Sequence, residues 1–303
     1  MQIVQTFISD PGVKIPDYTI YSLQKLRENN PSFRITFISN TGHGFDNVFK
    51  KYDVNWVDQN TLDSFYLDAF RNLSDLERHG TPNTKYPSPP KFFHRALERI
   101  FMLQAFMAQD WEREVFHTEN DVLTYYPLNS FELYCQYLDN PSIYITPMGP
   151  KVSTFAFAYF HNPNAMNELC CKFLEYLWMG EAKFLELSEA DMLNEMTMLK
   201  KAQEDLFIGN FDTCKVHENM NGYLFDPGSY GQFLGGTNNH DHGPGYTGSH
   251  HYIGKAIDDF QMTPYWDSGL KKPFVILCPD EGPQVTRRLF NLHIHSKNLK
   301  AFM

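Results

Sequence analysis

Two short segments, far apart in the sequence, carry side chains that could bind a cation and an anionic group. The first is VFHTENDVLTY, in which Glu119 and Asp121 stand two positions apart. At the end of a strand, such a pair can reach one divalent cation, directly or through water, and leave other positions for phosphate oxygens. Mg²⁺ or Mn²⁺ suits oxygen ligands of this kind. The alternative is a solvated turn, because Asn and Asp favour turns.

The second segment is the tail LFNLHIHSKNLKAFM, where His293 and His295 are spaced to share one face of a strand. Imidazole can complete a Mn²⁺ coordination shell, and Lys297 can neutralise a diphosphate as a point charge. Histidines at this spacing also occur as surface residues of amphipathic strands. The two segments together, rather than either alone, predict a metal site formed by Asp121, Glu119, His293 and His295.

Charge and cysteine content limit the partners and the compartment. The chain has 303 residues and a formal net charge of −10, which would repel a polyanion, so nucleic acid is not expected as a partner. A bound divalent cation can supply the local positive charge that a phosphorylated substrate needs. Five cysteines without a CxxC spacing suggest neither a zinc ribbon nor a disulfide framework, and favour a reducing compartment.

The sequence carries no targeting or membrane-spanning pattern. Its N-terminus, MQIVQTFISDPG, lacks a basic start, and no stretch approaches the roughly 18 apolar residues of a membrane span. We therefore expect a cytoplasmic protein without a transmembrane segment.

The first part of the chain has the alternating pattern of a parallel sheet. The predicted elements are a strand over 3–9, a helix over 18–29, a strand over 34–40 and a strand over 54–57. Asp58 follows the last of these strands, and a helix-rich stretch begins near Thr61. This order predicts an α/β fold whose loops gather at the C-terminal edge of the sheet.

The next predicted elements lead along the chain to the acidic pair. The segment 81–90, TPNTKYPSPP, has four prolines and is expected to be a surface loop. A helix over 91–109 then leads into the strand before Glu119. Further predictions are strands over 142–146, 153–160 and 274–278, helices over 165–178 and 189–201, and an irregular segment over 225–254.

With these motifs in order, the chain resembles the GT-A glycosyltransferases, particularly a group found in bacteria and large algal viruses. The motifs that carry the resemblance lie at 99–106, 117–125, 225–236 and 291–299. The resemblance implies a GT-A type, Rossmann-like mixed sheet flanked by helices in one domain, and admits a viral origin for the gene. Residues 1–128 would form the nucleotide-sugar half and 129–303 the acceptor half, with the tail closing on the donor.

The resemblance also implies a nucleotide-sugar donor, with UDP as the expected nucleotide. Its base and ribose would lie near Phe7, Asn40 and Asp58, and its diphosphate would meet the metal at Glu119 and Asp121. The family motif has Asp first. Glu119 has a longer arm, so it binds the metal, through water where direct reach fails, or contacts the ribose, whereas Asp121 is the expected direct ligand.

One basic residue is implicated with the donor by the same resemblance. Arg99, on the helix before the acidic strand, would contact the donor phosphate or sugar. The alternative is a structural ion pair with Glu98, Glu112 or Glu114.

An inverting transfer needs a carboxylate that accepts the proton of the acceptor hydroxyl. Three acids are candidates. Ser188 and Asp191 have the S-x-x-D form of a helix start, so Asp191 is a cap or a base. Glu195, one turn further along the predicted helix, is the preferred base, and Asp226 is the second choice, with a turn residue as its structural alternative.

Other functions remain open from the residues alone. A metal-dependent nucleotidyltransferase or phosphohydrolase would use the same acidic pair, but often with a second metal and more carboxylates. A non-catalytic carbohydrate-binding protein would keep the fold with a degenerate site. A His-rich loop could form a separate zinc site, although contacts with the carbohydrate acceptor or another subunit are preferred there. Its residues are His240, Asp241, His242, His250 and His251.

Overall fold

A seven-stranded mixed sheet forms the centre of the computed structural model, which describes residues 1–73, 92–110, 114–130, 141–213, 223–237, 242–246, 262–277 and 283–303. The strand order is β3-β2-β1-β4-β7-β6-β8. The first four of these strands run parallel, whereas β7 is antiparallel to both of its neighbours. The strands are β1 (Gln2–Phe7), β2 (Arg34–Ser39), β3 (Val54–Asp58), β4 (Val115–Glu119), β6 (Ile143–Pro147), β7 (Ser153–Phe160) and β8 (Ile208–Asn210).

Helices cover both faces of this sheet. Their bounds within the described residues are α1 (Thr19–Asn29), α2 (Asp46–Lys51), α3 (Phe65–Asn72), α4 (Phe92–Asp110), α5 (Pro163–Met179), α6 (Glu181–Ser188), α7 (Glu195–Asp205) and α8 (Ser229–Gly235). The predicted α/β class, a mixed sheet flanked by helices, is thus confirmed. No helix in the described part of the chain is both long and apolar enough to cross a bilayer.

Two smaller sheets contain the strands of the C-terminal part of the chain, and one of them also includes β5 from the first half. A four-stranded sheet has the order β10-β11-β12-β9, and an antiparallel ribbon pairs β13 with β5. Their strands are β5 (Val122–Thr124), β9 (Tyr223–Leu224), β10 (Thr263–Asp267), β11 (Lys272–Leu277), β12 (Val285–Leu289) and β13 (Asn291–His293). The ribbon joins the two segments that the sequence singles out.

The central sheet is apolar on both faces, as expected for strands covered by helices. Successive side chains of β1 enter different cores, since Ile3 packs into one hydrophobic cluster and Val4 into the other. The first cluster contains α1 and most of the ribbon, and the second contains the buried faces of α4, α5 and α7. The helices that hold Arg99 and Glu195 therefore share one core.

Strand register gathers the candidate donor residues at one edge of the sheet. Phe7 pairs with Ser39, and Ser39 pairs with Asp58, so three strands end side by side. Thr6 pairs with Glu119 on the other side of β1. Because these strands are parallel, their C-terminal ends open at the same edge, where α/β folds commonly bind ligands.

The predicted helix over 189–201 was wrong in its start. The chain forms α6 (Glu181–Ser188), which the sequence analysis did not predict, then a loop, and α7 begins only at Glu195. Asn194 caps α7 by accepting a hydrogen bond from the Thr197 N–H, while the Thr197 hydroxyl accepts one from the Asn194 N–H. Asp191 is thus not a cap of this helix, and it lies exposed in the preceding loop.

The segment 225–254 is not irregular throughout, because α8 (Ser229–Gly235) lies within it. The predicted loop 81–90 lies outside the described residues, as do His240, Asp241, His250 and His251. Of the His-rich group, His242 is described, and its ring stacks on Tyr246 at a centroid distance of 4.1 Å.

Candidate active site

The ribbon of β5 and β13 places the tail beside the acidic pair. Its register pairs Asn291 with Thr124 and His293 with Val122. The Ile294 N–H then donates to the Asp121 carbonyl at 3.0 Å, which continues the pairing past the strand end. These backbone hydrogen bonds fix the position of His293 relative to Asp121, so the two residues cannot separate unless the strand pairing of the ribbon is broken.

Three side chains converge at the end of β4. One ligand atom from each of Glu119, Asp121 and His293 lies within 4.8 Å of the other two. His293 Nε2 is 3.2 Å from Asp121 Oδ2 and 3.5 Å from Glu119 Oε2. Asp121 is 4% exposed, and its Oδ1 atom is buried without a hydrogen-bond partner. A buried carboxylate oxygen left unsatisfied requires an explanation, and a cation is one.

Two basic side chains balance the acids. Lys297 donates to Asp121 Oδ2, and Arg99 donates to Glu119 Oε1. Arg99 therefore makes a structural ion pair as well as facing the site, but with Glu119 rather than with the acids that the sequence analysis considered. Lys297 has a left-handed backbone with φ of 62°, which a lysine adopts rarely. A strained residue at a polar cluster is typical of a functional site.

The pKa values follow from burial and these charges. Burial would raise the pKa of Asp121, but His293 and Lys297 outweigh it and hold that pKa well below its usual range. Burial would lower the pKa of His293, but Asp121 and then Glu119 raise it. Asp121 is thus an anion at neutral pH, the form that a divalent cation requires.

Polar side chains of β1 and α1 support the turn between β4 and β5 through hydrogen bonds. Gln5 Nε2 donates to the Glu119 carbonyl at 3.1 Å, and Ser22 Oγ donates to the Val122 carbonyl at 2.7 Å. Asn120 Nδ2 donates to Thr19 Oγ1 at 3.0 Å. These contacts orient the turn so that both acids point toward the tail, which is the kind of support that metal ligands need.

A third acid lies on the other side of Arg99. Glu195 is the first residue of α7, and its Oε1 atom is 3.7 Å from Arg99 Nη2. Its Oε2 atom is buried without a hydrogen-bond partner. Burial raises the pKa of Glu195 to about 7, with Arg99 opposing the rise and Glu119 adding to it. A buried carboxyl that titrates near neutral pH is suited to exchange a proton with a substrate.

Asp226 has a structural environment. Its Oδ1 accepts from the N–H groups of Gly228 and Tyr230, and its Oδ2 accepts from those of Gly231 and His293. The side chain is 1% exposed, so all four bonds are shielded from water. Asp226 thus ties the start of α8 to the backbone of His293, and its oxygens have no free capacity to accept a substrate proton.

We expect Asp226→Asn to destabilise the fold by about 3 kcal/mol or more, because the new amide group must face backbone N–H donors. The matched control is Asp267→Asn. Asp267 Oδ1 accepts from the N–H groups of Gly269 and Leu270, and an asparagine oxygen can replace it there. Urea denaturation of both variants measures the difference. Equal loss of stability in the two variants would refute the structural role of Asp226.

The residues expected near the nucleotide lie at the sheet edge, each with a different environment. Phe7 is partly buried at the end of β1. Asn40 donates to the Asp10 carbonyl, while its Oδ1 atom is buried without a partner. Asp58 accepts from the Asn60 N–H at 2.9 Å and so caps the turn after β3. Asp191 forms no contact with the acidic cluster among the described residues.

Some residues of the site were not identified from the sequence. His117 is fully buried between Thr6 Oγ1 and the Phe155 carbonyl, each 2.8 Å from one ring nitrogen. Burial, together with Arg99, lowers its pKa well below the usual range, so the ring is neutral. Tyr18 lies with its ring 5.9 Å from Lys297 Nζ. A polar residue in the middle of an apolar strand was the available signal for His117.

His295 is not one of the three converging ligands. Its ring lies 4.3 Å from that of His293, and both rings face the start of α8. A Cβ atom at Gly228 would come within 2.6 Å of His295 Nε2, and that glycine has φ of 102°. The absence of a side chain at Gly228 therefore leaves room for the ring.

Comparisons with known proteins show distant likeness in structure. Neither the protein-family models nor the curated protein sequences match the chain. Mouse xyloside xylosyltransferase 1 in its apo form aligns over 70% of this chain and 84% of its own, at 14% identity and a TM-score of 0.46. The galactosyltransferase LgtC, in complex with donor and acceptor sugar analogues, aligns over 70% and 73%, at 12% identity and a TM-score of 0.36.

A nucleotide-handling enzyme of another class appears among the similar structures. A cytidylyltransferase from Leptospira borgpetersenii aligns over 69% of this chain and 74% of its own, at 8% identity and a TM-score of 0.37. Identity and TM-score at these levels describe a general arrangement of strands and helices. The chemistry must therefore come from the site itself.

Proposed function

We propose that the protein is a metal-dependent glycosyltransferase that moves a sugar from a nucleoside diphosphate donor, with UDP as the nucleotide, to a carbohydrate acceptor. One observation carries the proposal. The acidic pair meets a histidine and a lysine from the tail at the C-terminal edge of parallel strands. That edge is where α/β folds bind nucleotides, and the residue set matches a cation with a diphosphate.

The residues fit a divalent cation. Asp121, Glu119 and His293 offer two carboxylates and an imidazole, which suit Mn²⁺ and, with fewer nitrogen ligands, Mg²⁺. The unpartnered Oδ1 atom of Asp121 can face the cation without losing an existing hydrogen bond. When bound, the cation would act as a Lewis acid that offsets charge on the departing diphosphate.

The donor would lie along the sheet edge. Lys297 would pair with a phosphate oxygen of the donor, because its ammonium group lies beside Asp121, the expected metal ligand. The unpartnered Oδ1 atom of Asn40 can accept a hydrogen bond from a nucleobase N–H, which a uracil ring offers. Arg99 would remain between Glu119 and Glu195, where it keeps two carboxylates from repelling each other.

Glu195 is the proposed general base. In the transfer, the acceptor oxygen bonds to the anomeric carbon, the bond from that carbon to the diphosphate oxygen breaks, and the acceptor proton passes to Glu195. A single displacement of this kind would invert the anomeric carbon, with the base and the leaving group on opposite faces of the sugar. Glu195 has a free, buried oxygen for this role, whereas the oxygens of Asp226 are engaged and Asp191 is exposed.

The rival enzyme class, a nucleotidyltransferase or phosphohydrolase, would attack phosphorus instead of carbon. Such enzymes often hold two metals about 4 Å apart with additional carboxylates. Within the described residues, Glu119, Asp121 and His293 form a group that could hold a metal ion. Glu195, whose pKa burial raises to about 7, supports an enzyme over a non-catalytic carbohydrate-binding protein, which would have no need of such a carboxyl.

Addition of UDP with Mn²⁺ is expected to raise the melting temperature by roughly 5 °C at saturating ligand, since binding to the folded state alone stabilises it. The controls are Mn²⁺ alone and UDP with a chelator. An unchanged melting curve under all conditions would refute the donor site. A panel of nucleotide sugars, scored for metal-dependent release of free nucleotide, would then identify the donor, and release of pyrophosphate would favour the rival class.

A further inference from the structure

A basic and apolar surface lies at the tip of the β10–β11 hairpin and on the neighbouring strand β12. We call it the hairpin patch, formed by Leu270, Lys271, Lys272 and Arg288. Leu270 is 62% exposed, although it is a large apolar residue. Lys271 and Arg288 are exposed, and Lys272 is half-buried. A protein with a net charge of −10 thus presents an exposed leucine that two lysines follow in sequence, with Arg288 on the strand paired to β11.

Among the residues that the structure describes, the cations of the hairpin patch have no acidic partners. Within the described residues, none of Lys271, Lys272 and Arg288 forms an ion pair. Asp267 faces Lys272 in the hairpin register, but its Oδ1 atom accepts from two N–H groups of the turn. Burial and Arg288 lower the pKa of Lys272, so the positive charges oppose one another.

Aromatic rings hold these cations in place. Lys272 Nζ lies 4.2 Å from the centroid of the Tyr126 ring, and the Arg288 guanidinium lies 5.9 Å from it. Arg288 also lies 6.0 Å from the Tyr223 ring. Cation–π contacts orient a charge without neutralising it. The hairpin patch therefore presents positive charge that is already positioned for an external anion.

Hydrogen bonds close the turn at the tip of the hairpin. Asp267 Oδ1 accepts from both Gly269 and Leu270 at 2.9 Å, and Lys271 adopts a left-handed backbone with φ of 51°. The turn therefore keeps the Leu270 side chain outward instead of letting it fold back on the sheet. An apolar side chain that a hydrogen-bonded turn holds in water, among cations, is suited to an interface that is apolar inside and anionic at its surface.

We infer that the hairpin patch docks the protein on an anionic phospholipid surface, with Leu270 entering the headgroup region and the three cations contacting lipid phosphates. Charge complementarity favours this occupant, because cations near a membrane are attracted to acidic lipids. The rest of the protein is acidic and is repelled by the same surface, so the hairpin patch would be turned toward the membrane. The exposed leucine favours lipid over nucleic acid, which offers the cations phosphates but gives an aliphatic tip no apolar interior.

The test is co-sedimentation of the full chain with phosphatidylcholine vesicles that contain or lack phosphatidylserine. We expect binding to the acidic vesicles alone, and loss of that binding as salt rises. The variant Lys271→Glu with Lys272→Glu should bind about twentyfold more weakly or worse, because each cation contributes about a fivefold preference for an acidic surface. Leu270→Ser should bind about tenfold more weakly.

Matched controls come from elsewhere on the surface. Lys50→Glu with Lys51→Glu changes the net charge equally at two exposed lysines, of which Lys51 lies 4.8 Å from the Tyr52 ring. Leu187→Ser removes another exposed leucine. Both controls should retain vesicle binding, and all variants should retain the melting shift with UDP and Mn²⁺.

Three results would overturn the inference: no binding of the wild type to acidic vesicles, equal weakening by the Lys50 and Lys51 control, or binding to single-stranded RNA without binding to vesicles. The melting shift with UDP and Mn²⁺ is scored separately, so failure of vesicle binding is distinguishable from failure of the proposed enzymatic function.

Discussion

Asp121→Asn is expected to abolish binding of Mn²⁺ and to lower glycosyl transfer at least about a hundredfold, because it removes the anionic ligand closest to both tail residues. In the wild type, His293 and Lys297 both contact Asp121 Oδ2, so this carboxylate links the acidic strand to the tail. Isothermal titration with Mn²⁺ alone measures the loss of binding, and release of nucleotide from the donor measures the loss of transfer.

The same substitution leaves Lys297 without its carboxylate, which destabilises the free protein. The double variant Asp121→Asn with Lys297→Met restores the charge balance, so it should regain stability and still fail to bind Mn²⁺. Asp191→Asn serves as the control, because Asp191 is exposed and forms no contact with the cluster. Retention of Mn²⁺ binding by the folded double variant would show that Asp121 is not a ligand.

The second large effect is expected at Glu195. As a general base it must be ionised, so transfer should rise with pH up to and through about 7, the pKa to which burial raises this carboxyl. Glu195→Gln should lower kcat about a hundredfold or more and remove this pH dependence, while KM for the donor changes little. Steady-state rates measured from about pH 5 to about pH 9, a range that spans the titration, provide the measurement.

The stability of the wild-type protein should fall as pH rises, whereas its rate of transfer should increase. A carboxyl whose pKa is higher in the folded than in the unfolded state loses stability as pH rises through the folded value, because the buried carboxylate is disfavoured. Glu195→Gln escapes this penalty, which is a few kcal/mol at most, since one pKa unit corresponds to about 1.4 kcal/mol. Loss of the contact with Arg99 offsets part of the gain.

The variant should therefore melt higher than the wild type above about pH 7, and the difference should shrink toward about pH 5, where the folded wild type holds Glu195 protonated. A wild-type rate that is flat with pH, or a Glu195→Gln variant with full activity, would exclude the base. Asp226 would then need its own test in spite of its four hydrogen bonds.

Local patterns predicted the first half of the fold well. Apolar runs ending in polar residues gave β1, β2, β3 and β4, and the order of strands and helices gave the parallel pairing of these strands. The strands β1, β2 and β4 are buried along most of their length, so the apolar runs that predict them are continuous and can be recognised locally. The acidic pair was recognisable because it follows an apolar strand that must end at the edge of the sheet.

The start of α7 was predicted wrongly because two segments of the sequence resemble a helix N-terminus. Ser188 and Asp191 match a capping pattern, but Ser188 ends α6 and donates its hydroxyl to the Phe184 carbonyl. Asn194 and Thr197 form the actual capping box. It is hard to recognise in the sequence because the usual pattern ends in Glu or Gln instead of Thr. The choice between the two is made by packing of α7 on β7, which no local pattern contains.

The hydrogen bonds of Asp226 could not be predicted from the sequence either. A carboxylate before a proline predicts a turn, and the structure does place a turn there, but the bond from the His293 N–H comes from a residue 67 positions away. Similarly, the pairing of Thr124 with Asn291 depends on a strand order that the sequence does not state. Long-range backbone contacts therefore separated a plausible base from a structural residue.

The β5–β13 ribbon has a consequence for how the protein is made. The acidic half of the cluster is translated early, whereas His293 and Lys297 are translated more than 170 residues later. Until then, β5 lacks its partner strand, and Asp121 is an unbalanced charge beside an apolar core. Chains that stop before the tail should thus be sensitive to proteolysis and should lack His293 of the proposed metal site.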